Sequence, residues 1–172
     1  MTTTSGYISG NSSDNFQTTK QALNFLINVE SNHPIDLSAL EFHLKNLNDN
    51  PLLAKKWKTQ LLLTQRLNEV STLLKTYLSE NQCQTLSEKQ SIEIMQNIFR
   101  KLFVQAIQPV AGELNKYHYQ LKPHIDTLIE SPYFTETFTA FLNQQNNRNY
   151  QTYKQSMQTH IELWQAIFAL CD

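Results

Sequence analysis

The chain predicts an all-α fold, a single-domain helical bundle or orthogonal helical array of about six to eight helices. Three observations carry that prediction. Only three glycines occur in 172 residues, and Gly112 is the one outside the N-terminal tail. Apolar residues recur at steps of three and four along most of the chain, and no alternating run of the kind a half-buried strand needs stands out. The breaks between periodic segments carry helix caps and prolines instead of the glycine turns that sheets use. Residues 1–13 read as a disordered tail and residues 14–172 as one domain. A chain of this length buries about 70% of its unfolded surface.

Asp14 is the expected N-cap of a first helix carrying Phe16, Leu23, Leu26 and Ile27, which ends near Ser31 before His33-Pro34. Asp36 caps the second, with Ile35 and Leu40 placed as a hydrophobic staple and Leu37, Leu40, Leu44 and Leu47 as its apolar stripe. Asn50 and Pro51 start a long third helix to about Leu78. Its seam is Leu63, Leu67, Val70, Leu74 and Tyr77, widened by further leucines. A polar loop over 79–86 leads to a capping box, Thr85 with Glu88 or Ser87 with Gln90.

The fourth helix carries Ile92, Met95, Phe99, Leu102 and Ala106. Pro109 and Gly112 should interrupt it, and Gly112 marks the expected bend or close approach. Short pieces follow around Leu114, Tyr117 and Leu121, then from His124 to Ser131-Pro132. Phe134, Phe138 and Phe141 line the next helix, and Asn143–Asn149 reads as an amide-rich loop. The last helix holds Tyr150, Tyr153, Met157, Ile161, Trp164, Phe168 and Cys171 in one register. Short connections favour antiparallel neighbours.

Composition narrows the function. Net charge is −1 and the pI 6.5, so no basic footprint for nucleic acid is present. Lys55, Lys56 and Lys58 beside Trp57 read as a solvated helix face. No apolar run approaches a membrane span. Cys83 and Cys171 show no framework or metal spacing, so they read as free thiols in a reducing, cytoplasmic setting. The N-terminus lacks the features of a secretory signal.

Catalytic chemistry is not evident. Gly-x-Ser-x-Gly is missing, no carboxylate pair is placed for acid–base work, and one glycine cannot build a phosphate loop. Glu30 and His33 have one Glu-x-x-His spacing, where helical di-iron sites need two, so no metal site is expected. His43 lacks the neighbouring glycine and the lysine spacing of a phosphotransfer histidine. Leu114-Asn115-Lys116-Tyr117-His118, followed by Leu121-Lys122-Pro123, resembles the stretch around a globin's proximal histidine. That resemblance implies His118 as an axial haem ligand. It supports one alternative, a helical binder of haem or a small hydrophobic ligand, in a pocket lined by Phe99, Phe103, Phe134, Phe138 and Phe141.

The leading expectation is a non-catalytic, cytoplasmic helical protein without a cofactor. It would act through protein–protein interaction, as regulator, adaptor or subunit, with another protein or a second copy of itself as partner. The last helix is apolar on most of its circumference from Ile161 to Cys171. Trp164 and Phe168 are therefore the candidate anchors, and Tyr150 and Tyr153 the candidate rim of such a contact.

Overall fold

The computed structural model describes residues 6–8, 16–28, 36–81 and 83–171. These are helical throughout apart from their connections, with no strand among them. The elements are α1 (Phe16–Ile27), α2 (Leu37–Asp49), α3 (Leu52–Glu80), α4 (Leu86–Ile98), a π-helical segment (Phe99–Ile107), α5 (Gln108–Glu130), α6 (Glu136–Asn143), a second π-helical segment (Gln144–Arg148), α7 (Asn149–Phe168) and a closing 3-10 turn (Ala169–Cys171). The all-α expectation holds, but the count of six to eight does not. Four long helices carry the body: α3, α4 with its π continuation, α5 and α7.

Several expected breaks are absorbed within helices. The Gln108 N–H bonds to Phe103 O, five residues back. Pro109, which has no N–H to donate, sits in the first turn of α5, just after the π-helical bonding ends. Gly112 lies inside α5, so the helix is not interrupted there, and with nothing within 4 Å of an added Cβ it is not a close approach. Pro123 also sits inside α5. Leu121, Ile125 and Leu128, all buried on one face, anchor the helix on both sides of it. The expected loop over Asn143–Asn149 is the second π segment, where Asn147 Nδ2 donates to Asn143 Oδ1 at 3.0 Å and Asn149 Nδ2 to Gln145 Oε1 at 3.1 Å.

Caps follow the sequence more closely. The Asp36 carboxylate accepts from the N–H of Ser38 and of Ala39 at 3.0 and 3.1 Å. Thr85 and Glu88 form the complete capping box. Asn50 does not cap α3; its N–H bonds to Asn46 O at 3.0 Å and closes α2, which leaves Pro51 at the cap position. The proposed Asp14 cap, the Ile35 half of the staple, and Glu30, His33 and Pro34 lie outside the described residues.

The largest interface joins α3 to α7, two helices far apart in sequence, and the two run parallel. Lys56 meets Asn146, Ser71 meets His160, and Cys83 meets Cys171, at sequence separations of 90, 89 and 88. A nearly constant separation is the mark of parallel axes. The rod from α4 through α5 returns the chain between them. α5 opposes α7, with Asn115 near Tyr150 and Asp126 near Asn147.

Near the start of α3, α1 and α6 pack on α5 around Leu23, Leu52, Tyr117, Leu121, Ile125 and Leu128. Ile8, expected in the disordered tail, is 4% exposed in this cluster, and its N–H donates to Thr59 Oγ1 at 2.9 Å. At the other end Leu74, Ile92, Trp164 and Ile167 form a separate cluster. Each fully buried Leu or Ile contributes roughly 1.5–3 kcal/mol.

Candidate functional site

The face of α3 beyond Leu63 and the π segment after α4 do not close on each other. A cleft of about 140 Å³ lies between them. One wall is Leu63, Leu67 and Val70 of α3, with Arg66 as the charged lining residue. The other is Ile98 with Phe99, Leu102 and Phe103, whose two aromatic rings stack at 5.0 Å. α7 supplies the floor through His160 and Trp164. Ile98 and Leu102 stay 44% and 61% exposed along the rim, and Ile94, one turn before Ile98 in the same register, is 61% exposed. Contiguous exposed apolar surface beside a cleft marks an interaction site more often than a scattered residue does.

The floor is chemically quiet. Trp164 Nε1–H donates to His160 Nε2 at 2.9 Å, so that nitrogen carries no proton. The proton of the neutral ring is on Nδ1, which donates to Ser71 Oγ at 3.1 Å. Burial holds the His160 pKa below its usual value, which keeps the ring neutral. An imidazole activating a serine must accept from it, and here the polarity is reversed.

Beyond the floor, Cys83 and Cys171 form a disulfide with Cα atoms 5.4 Å apart. This overturns the free-thiol reading. The bridge ties the turn after α3 to the turn after α7, a closure that depends on the parallel register. Cys83 adopts a left-handed backbone, φ 54°, which a non-glycine residue enters at a cost of roughly 1–2 kcal/mol.

A second arrangement lies between α3, α5 and the second π segment. Lys56, expected on a solvated face, is 0% exposed, and its Nζ donates to Asn146 Oδ1 at 3.0 Å. Gln60, one turn on, donates to Gln145 O at 3.3 Å, while its Oε1 and the Nδ1 of His118 are buried without a partner. Burial pushes the Lys56 amine down to about 7. His118 is pushed down to about 3, by burial first and then by the charges of Lys56 and Lys122. Burial also raises Tyr153 to about 12.

The residues singled out from sequence are redistributed. Tyr150 and Tyr153 are buried and cannot rim a contact; Tyr150 lies flat on the His118 ring at 3.3 Å, and its hydroxyl donates to Asn115 Oδ1 at 3.0 Å. Trp164 is buried as the cleft floor, and Phe168 packs half-buried against it, so neither is an outward anchor. The reason is the parallel α3, which covers the face of α7 that the periodicity left open. His118 is enclosed by its own chain and does not line the cleft. The phenylalanines expected around one pocket are divided. Phe99 and Phe103 line the cleft, Phe134 and Phe138 pack on the cluster near the start of α3, and Phe141 stands edge-on to Trp57. Sequence reasoning missed Lys56 and the α3 wall. The one available signal was Lys56 beside Trp57, opposite a stretch of amides.

The fold and cleft define an all-helical protein with an apolar groove between two helices. The chain belongs to a family described as a protein of unknown function (DUF3080), whose model matches residues 1–172. No curated protein and no solved structure matches it. Among the described residues no helix is long and apolar enough to cross a membrane, and no cluster of His, Cys, Asp and Glu is placed to hold a metal ion.

Proposed function

We propose that the protein acts through protein–protein interaction, by seating an amphipathic helix in the groove between α3 and the first π segment. The single observation that carries this reading is the apolar cleft with its exposed Ile98 and Leu102 rim, continued one turn further by exposed Ile94. Helix-in-groove recognition uses apolar anchors at helical spacing, laid into such a surface. The size of the cleft favours it over a haem or lipid. At about 140 Å³ it is well below the roughly 300–1,000 Å³ of ligand pockets, and it suits one or two side-chain anchors. Arg66 in the lining, with Lys101 exposed one turn after Ile98 on the π segment, favours a helix with acidic flanks.

The Cys83–Cys171 bridge supports a working place in an oxidising compartment, since such bridges persist where thiols are not kept reduced. The cytoplasmic expectation drew in part on free thiols and loses that ground.

The test is fluorescence anisotropy with a labelled model peptide of leucine and glutamate residues patterned as an amphipathic helix. Binding that Leu102→Glu weakens at least about tenfold, with helicity unchanged by circular dichroism, is the expected result. Binding indifferent to Leu102→Glu, or absent, overturns the proposal.

A further inference from the structure

The groove lacks a helix, and α2 lacks a groove. α2 packs on α1 and contains no buried residue. Leu37 and Leu44, one heptad apart and therefore on one face, are 73% and 51% exposed, with Glu41 on the same face between them. Asp36, Glu41 and Asp49 against the single Lys45 make this helix and its cap acidic. The groove has the opposite sign. Lys101, one turn after the lining Ile98, has no carboxylate at ion-pair distance among the described residues, and Arg66, paired with Glu69, lies on the facing wall. Spacing matches as well. Leu63 and Val70 on the wall are also one heptad apart, so both pairs of side chains are separated by about 10 Å along their helices.

The two surfaces of one chain do not meet. α2 hands over to α3 at Leu52, and Leu63 lies about 16 Å further along that helix. α2 rests on α1 instead of running up α3.

We infer that α2 of one copy docks in the groove of a second copy, with Leu37 and Leu44 between the α3 and π-segment walls and Glu41 towards the basic side. Reciprocal exchange gives a closed two-fold dimer with two such contacts. The inference rests on the groove reading above and names its occupant.

Sedimentation velocity on the full chain over a concentration series tests it. The expected result is a monomer–dimer equilibrium whose dissociation constant rises at least about tenfold in Leu44→Glu and in Leu102→Glu. Both residues are exposed, and circular dichroism and the thermal midpoint check that each variant folds. Mixing the two variants provides an independent readout. One chain keeps an intact α2 and the other an intact groove, so a heterodimer with a single contact should form where neither variant self-associates. A chain that stays monomeric while the model peptide still binds its groove overturns the self-docking and leaves the groove reading standing. A dimer insensitive to Leu44→Glu, or a mixture that gives no heterodimer, also overturns it. If the peptide fails as well, the groove reading falls with it.

Discussion

The two ends of the parallel α3–α7 pair differ in how they are covered. Near the start of α3, segment 6–8 lies on that helix, α1 and α6 lie on α5, and Leu52, Leu121 and Ile125 are sealed from water. Near its end, α4 and the first π segment leave a cleft, and the chain is held there by a small cluster and a covalent bridge. The closed end has enough elements to bury its apolar residues within one chain. The open end is one helix short, and its exposed isoleucines and leucines are what that shortage leaves behind. Within the closed end sits Lys56, an amine wholly buried in the second turn of α3 whose burial disfavours its charged form.

Substitutions at each end should separate them. Leu121→Ala at the closed end should cost about 2–5 kcal/mol in chemical denaturation, the usual penalty for a cavity in a packed core. Replacing Cys83 and Cys171 together by serine should cost about 2–4 kcal/mol. The bridge secures the open end, so hydrogen exchange should quicken most in α4 and least in α5. Equal acceleration in both would erase the distinction.

Lys56 should give stability a pH dependence of known sign. Its folded pKa is lowered to about 7 from 10.5, so between those values the unfolded chain holds a proton that the folded chain has lost. Stability therefore rises with pH across that window, by up to about 1.4 kcal/mol per pH unit. Urea midpoints across the window should show the rise, and Lys56→Met should remove it. His118 acts in the same sense at lower pH, and stability should fall as the pH drops from 6.5 towards 3. The smallest effect is expected at the groove, where Leu102→Ala should change stability by less than about 0.5 kcal/mol. A loss as large as that of Leu121→Ala would make the cleft part of the core and end the comparison.

The sequence by itself determined whatever depends on neighbours three or four residues apart. Apolar periodicity and scarce glycine gave helices; Asp36 and the Thr85–Glu88 pair set two helix starts, because a cap bonds only to its own first turn. Contacts across the chain were decided by tertiary structure. Pro109 and the amides of 144–148 read as breaks because local rules do not include a register change to π-helical bonding. Cys83 and Cys171 read as free, and Trp164 as an outward anchor, because nothing local signals that α7 lies parallel to α3 at a fixed offset. Lys56 read as solvated for the same reason. Its burial depends on Asn146, 90 residues away, and only packing brings the two together.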